Sequence, residues 1–137
     1  MNKSIIFKDL LMTRLHLLER VKTRRNDLGM TLDNISKLSS LGNRTVTRFF
    51  SGKDVKLSTV EKITIILGLD FAGNEIVNIE TLREDRAKEK AMYIVSLVQD
   101  TSSLEMQGLE NNEINSLLED TKNQFLIGEY QKNLWAS

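Results

Sequence analysis

No proline occurs anywhere in the 137 residues. Proline lacks the amide proton of a helical hydrogen bond and its ring clashes with the preceding turn, so a chain without it has nothing to interrupt its helical runs. The periodicity agrees. Leu10, Leu11, Arg14, Leu15, Leu17, Leu18 and Val21 recur at spacings of three and four, as on one face of a helix. That helix is expected from about Lys8 to Asp27, stopped by Gly29 as a left-handed cap. Lys22, Arg24 and Arg25 fall in its last turns, where cations complement the helix dipole.

Three shorter elements follow. Thr31 is suited to N-cap a helix carrying Leu32, Ile35 and Leu38, cut short by Ser39, Ser40 and Gly42. A second runs from about Asn43 to Phe50, with Val46, Phe49 and Phe50 apolar, and ends at Ser51-Gly52. After a loop from Lys53 to Leu57, Ser58 or a neighbour caps a helix with Val60, Ile63, Ile66 and Leu67, closed by Gly68. Isolated helices below about 12–15 residues are marginal in water, so these must share one core. Leu17, Val21, Ile35, Leu38, Val46, Phe49, Val60, Ile63 and Leu67 are its expected members.

Beyond residue 70 the pattern weakens. Gly73-Asn74 reads as a turn, and Glu75 to Ile79 as a short strand or the start of a fifth helix. A long helix is expected from Ile79 to Gln99, with Ala87, Ala91, Ile94 and Val98 as a stripe serving either core packing or a dimer seam. Asp100-Thr101-Ser102 reads as a break and Leu104 to Leu109 as a short helical segment. A last helix from about Asn112 to Ile127 buries Ile114, Leu117, Leu118, Thr121 and Phe125 and stops at Gly128. Trp135, the one tryptophan, is expected to anchor the tail to that bundle or to a partner subunit. The fold class is therefore all-α. A first helical domain spans 1–70, a linker or short strand or helix 71–83, and an acidic helical segment for oligomerisation or partner binding 84–137.

Composition narrows the function. Apolar residues at 40% and charged residues at 28% suit a folded globular chain. Absence of cysteine removes disulfides and thiolate metal sites and fits a reducing cytoplasm. No apolar run approaches the ~18 residues that span a bilayer, and the opening MNKSIIFKDLL lacks the core and cleavage site of a signal peptide. A cytoplasmic protein without membrane contact is expected. The lone His16 has no evident catalytic or ligand partners, and Glu84-Asp85 and Glu119-Asp120 are adjacent acids that diverge on a helix. No phosphate-cradling glycine loop, nucleophile elbow or metal-ligand cluster occurs. An enzyme is not expected, nor a cofactor or metal.

The zero net charge conceals an asymmetry: residues 1–69 hold 13 Lys/Arg against 6 Asp/Glu, whereas residues 70–137 hold 6 against 13. Such a contrast suggests a polyanion-binding part followed by an acidic part with another task.

Residues 31–69, TLDNISKLSSLGNRTVTRFFSGKDVKLSTVEKITIILGL, give the pattern a specific form. A short helix, a tight glycine-containing turn and a second short helix make up a helix-turn-helix, with apolar positions needed at Ile35, Leu41, Val46 and Phe49. The stretch resembles the Cro/C1-type (Xre) helix-turn-helix family. The likeness rests on Met30-Thr31, Ile35-Ser36, Leu41-Gly42, Thr45-Val46-Thr47-Arg48, Ser51-Gly52-Lys53, Leu57-Ser58-Thr59-Val60 and Leu67-Gly68-Leu69. It covers roughly residues 15–70. Two positions depart from it: Val55 stands where a proline commonly precedes the fourth helix, and Arg24 where the first helix is usually apolar.

The resemblance implies a five-helix, lambda-repressor-like domain and a transcriptional regulator that binds double-stranded DNA. It assigns base contacts to Asn43, Arg44 and Arg48, and a base or phosphate contact to Thr47. Arginine pairs bidentately with guanine and asparagine with adenine. Gly42 permits close backbone approach, and Thr31, Lys53, Lys56, Ser58 and Thr59 grip phosphates. A homodimer on a pseudo-palindromic operator, acting as an autorepressor, is the expected working unit. The alternative is an antitoxin whose acidic C-terminal half binds and neutralises a toxin partner.

Overall fold

The computed structural model describes the backbone of residues 3–104 and 111–137 and the side chains of 14–100 and 111–137. All regular elements among them are helical, as expected: α1 (Lys3–Leu28), α2 (Leu32–Ser39), α3 (Asn43–Phe50), α4 (Leu57–Ile66), α5 (Ile79–Leu104) and α6 (Asn111–Leu126), then a 3-10 turn at Gln131–Asn133. The one strand-like feature among the described residues is an isolated antiparallel bridge between Leu69 and Glu75. None of these helices is long and apolar enough to cross a membrane. The chain divides into two compact units, residues 1–79 and 80–136.

The first unit contains four helices rather than five; the fifth helix of the chain belongs to the second unit. α1 starts earlier than its apolar stripe indicates and stops where glycine directs. Gly29 has φ +73°, and the Met30 amide reaches back to the Arg25 carbonyl at 3.1 Å, which satisfies a carbonyl that the helix end would leave bare. α2 opens on a complete capping box. The Thr31 hydroxyl accepts from the Asn34 amide, and the Asn34 side chain accepts from the Thr31 amide. α4 begins one residue before Ser58, with Lys56 at the cap position and no side-chain bond there.

Val21, Ile35, Val46, Ile63 and Leu67 are fully buried and Phe49 nearly so. Leu17, Leu38 and Val60 are half-buried at the edge of this core. Leu28, Met30, Phe50 and Leu69 complete it. α2 packs on both α3 and α4.

Arg24, at the position where a hydrophobic residue is usual, is itself only 6% exposed. Its Nε donates to the Leu67 carbonyl at 2.7 Å, and its two terminal nitrogens donate to the Glu75 carboxylate and the Val77 carbonyl. A buried guanidinium is tolerable only when its donors are used. Here they fasten the segment after α4. That segment is a hydrogen-bonded turn: Asp70 Oδ1 accepts from the Ala72 and Asn74 amides, and the Asp70 amide donates to the Asn74 carbonyl at 2.8 Å. Gly73 in this turn has φ +85°, and the Ile76 and Val77 amides close on the Gly68 carbonyl.

In the second unit, α5 runs through the expected break at Asp100-Thr101-Ser102 to Leu104. The expected segment 104–109 otherwise lies outside the described residues. Ala87 and Ala91 are fully buried as expected, but the stripe continues through Val95 at 5% exposure. Ile94 is half-buried, and Val98, at 39%, faces solvent. From α6, Thr121 and Phe125 are buried, and Ile114, Leu117 and Leu118 are half-buried. Leu134 and Trp135 are buried in this unit. Arg86 donates to the Leu134 and Ala136 carbonyls at 3.0 and 2.7 Å, and Lys90 to the Asn133 carbonyl.

Candidate nucleic-acid interface

α3 is eight residues long and divides sharply into two sides. Val46, Phe49 and Phe50 are buried. The two rings meet edge to face at 5.2 Å between centroids, and the Arg25 guanidinium sits 5.5 Å from the Phe50 ring centroid. Arg25 also donates to the Met30 carbonyl at 3.0 Å. One side chain thus ties the end of α1 to the entry of α2 and to the anchor of α3. Its role was not apparent from sequence, where a C-terminal helix arginine reads first as a dipole partner.

The turn between α2 and α3 is held by polar side chains. Ser36 Oγ donates to the Leu41 carbonyl, the Leu41 amide donates to the Ser36 carbonyl at 3.1 Å, and Ser39 Oγ donates to the Ile35 carbonyl. The left-handed residue is Ser40, at φ 59°, not the glycine two places on. Gly42 is the N-cap of α3 in an ordinary extended conformation, φ −67° and ψ 150°. A Cβ built on it meets no atom within 4 Å. Neither backbone geometry nor packing within the described residues requires glycine there.

Asn43, Arg44, Thr47 and Arg48 are all exposed. They occupy two successive i, i+4 pairs, Asn43 with Thr47 and Arg44 with Arg48, which places them on one side of the helix. Neither guanidinium of Arg44 or Arg48 is engaged in an ion pair among the described residues. These are rigidly mounted, solvent-facing fork donors, suited to phosphate or to the hydrogen-bonding edge of a planar partner.

The remaining candidates divide. Thr31 is exposed, and because its oxygen accepts the capping bond, its hydroxyl proton stays available. Asp33 in the same turn is paired with Lys37 at 3.2 Å, which offsets its charge near the helix start. Lys53, Lys56 and Ser58 are exposed. Lys53 follows Gly52, whose φ is +83°, and its amide is held by the Arg48 carbonyl at 3.1 Å. Thr59 departs from its expected role: it is 5% exposed and its amide is occupied by the Lys56 carbonyl at 3.0 Å. Its place in the α4 start marked it as a phosphate ligand, but on that turn the inward side begins at Thr59 and continues through Ile63. His16 and the paired acids Glu119-Asp120 are exposed, and no group of three or more metal-ligating side chains occurs among the described residues.

Over 72 residues, 53% of this chain, the sequence is 33% identical to an Archaeoglobus fulgidus protein provisionally named an HTH-type transcriptional regulatory protein. The match takes in 23% of that relative, so the chain spans about a quarter of its length. No protein-family profile matches the chain, and no solved structure matches it significantly.

Proposed function

We propose that this chain is a sequence-specific regulator of transcription of the Cro/C1 helix-turn-helix type, with α3 entering the major groove of double-stranded DNA. The observation that carries the reading is the two-sided character of α3: three residues lock it to the core while Asn43, Arg44, Thr47 and Arg48 stand together in solvent. The name given to the Archaeoglobus fulgidus relative agrees. Gly42 supports it as well, since its missing side chain serves no contact among the described residues and leaves room for a surface docked in front of α3.

Arg44 and Arg48 bind guanine O6 and N7, Asn43 binds adenine N6 and N7, and Thr47 meets a base or phosphate. The Thr31 hydroxyl, Lys53, Lys56 and Ser58 hold phosphates on either side and supply the salt-dependent affinity. The working unit is a homodimer on two half-sites about 34 Å apart. It represses by occupying an operator in its own promoter and excluding polymerase.

The test is a gel-shift series on the DNA upstream of the gene. Arg44→Ala should weaken binding by about 10- to 100-fold and relax preference at one base position, the 1–3 kcal/mol of one bidentate pair. Lys56→Ala should weaken all sequences alike and lower the salt slope by about 1. Undiminished operator binding by both variants overturns these contacts.

A second reading, an antitoxin whose acidic half binds a basic toxin, draws on the excess of carboxylates after residue 69. A small basic reading frame beside the gene, and co-purification of its product through residues 80–137, would favour it.

A further inference from the structure

A cavity of about 420 Å³ opens on the first unit between α1, the loop after α3, α4 and the turn that holds Phe71. Its walls are mostly hydrocarbon. Leu15, Leu57 and Phe71 line it while staying between 45% and 67% exposed. Phe49, the buried anchor of α3, lines it as well. Large apolar side chains scattered singly over a surface need no explanation, but three around one hollow do.

Three charged residues share the lining: Arg14, Lys53 and Asp54. Arg14 on α1 pairs with Asp54 on the loop, so the carboxylate is already offset. Lys53 takes part in no ion pair among the described residues. One positive charge is therefore left over beside an apolar hollow. The Lys53 amide is held by the Arg48 carbonyl at 3.1 Å, so its backbone is fixed and only the four-carbon side chain can change direction.

We propose that this cavity binds a small organic anion, with an apolar body of about ten to fifteen non-hydrogen atoms and a single carboxylate or sulfonate head. The volume lies within the range of small-ligand sites, about 300–1,000 Å³. The body covers Leu15, Leu57 and Phe71, and the head pairs with Lys53. Charge selects the occupant: a cation with the same body meets Lys53 as a like charge.

The consequence for DNA rests on the reading of Lys53 as a phosphate contact. An ammonium paired with the ligand's head is withdrawn from the duplex. Ligand and DNA then compete for one charge, and by linkage each weakens the other by the same factor. That factor is no more than an exposed ion pair supplies, about two- to fivefold. The anion is thus an inducer that loosens the operator complex.

The experiment uses the full chain and the dye 1-anilinonaphthalene-8-sulfonate, an apolar monoanion whose emission reports apolar surroundings. Emission should saturate at one dye per chain and be reversed by decanoate, but not by decyltrimethylammonium at the same concentration. Lys53→Ala should weaken decanoate binding about two- to fivefold, and Lys53→Arg should restore it. Lys53 is exposed, so both variants should keep the far-UV circular dichroism of the parent. Phe71→Ser, outside the DNA contacts, should weaken decanoate about five- to tenfold and leave operator affinity without ligand unchanged. Decanoate should raise the protein concentration for half-saturation of the operator about two- to fivefold in the parent and not in Phe71→Ser. Absence of saturable emission, equal displacement by the cation, or parental decanoate affinity in both Lys53→Ala and Phe71→Ser overturns the site. Lys53-dependent binding with no effect on the operator upholds the site and overturns the competition. Lys53-dependent binding in a chain that binds no operator upholds the site and overturns the DNA-binding reading instead.

Discussion

The two units solve the problem of a small core in different ways. The first gathers all six of the largest fully buried side chains among the described residues: Ile35, Ile63, Leu67, Val21, Val46 and Thr64. Branched residues with few rotamers fix the angles between short helices, and polar side chains only finish the turns. In the second, α5 contributes small residues, Ala87, Ala91 and Val95, and the bulk comes from Phe125, Leu134 and Trp135. Its C-terminal tail is held by cations on α5 donating to backbone carbonyls. Lys90 serves twice, as donor to Asn133 and 5.4 Å from the centroid of the Phe125 ring. Its pKa is lowered by desolvation first and by neighbouring Arg86 second. A packed core presents a helix rigidly; a strapped one depends on a few aromatic residues and charged donors.

The strongest break of this comparison is Phe125→Ala. The ring is 5% exposed and lies 5.5 Å from that of Tyr130, and truncating a buried Phe costs about 3–5 kcal/mol. In a unit held so sparsely, that should abolish amide-exchange protection in α5 and α6 while α2 and α3 keep theirs. Uniform loss of protection along the chain would show that the units do not differ in the way described.

Next in size is Arg24→Ala. It strips charged donors from the Leu67 and Val77 carbonyls, hydrogen bonds of a kind worth about 1.5–3 kcal/mol each. The loss should reach about 2–4 kcal/mol and lower the melting temperature by roughly 10 °C or more. Arg24→Met sharpens the point. The methionine fills the space but donates nothing, so stability equal to the parent would mean that packing, not hydrogen bonding, holds the segment after α4.

These two sites also mark how far the sequence could be read. α2 and α3 were legible to the residue, because their lengths are fixed by local signals: the Thr31 cap, the serines and glycine of the turn, and an apolar spacing too short to be misplaced. The exposed quartet on α3 followed from that spacing and from the family resemblance. Arg24 was visible only as an anomaly, since its three acceptors lie more than 40 residues away in sequence. Ser40 takes the left-handed conformation of the turn, at φ 59°, and no local signal marks a serine for it. Hydrogen bonds from Ser36 and Ser39 to backbone carbonyls brace the turn instead. Thr59, expected at a phosphate, lies buried, because the start of a helix does not expose every side chain. In the second unit, the expected stripe passed through Ile94 and Val98 instead of Val95. Ile94 and Val95 are adjacent and equally apolar, so hydropathy alone could not choose between them.

The smallest effect tests the segment that Arg24 fastens. The Asp70 carboxylate accepts from the backbone amides of Asn74 and Ala72 and from the Asn74 side chain, and its pKa is lowered from 3.8, the Asn74 amide being the largest cause. A carboxylate whose pKa falls on folding adds stability that is complete above its unfolded value and fades as pH drops through the folded one. The difference in melting temperature between the parent and Asp70→Ala should therefore be constant from pH 7 to pH 5 and shrink only below about pH 4. A difference unchanged down to pH 2 would assign the role of Asp70 to turn geometry rather than charge. A difference that vanishes by pH 5 would place the responsible group elsewhere. In either case the hydrogen bonds of Arg24 would be left as the main fastening of the first unit's C-terminal segment.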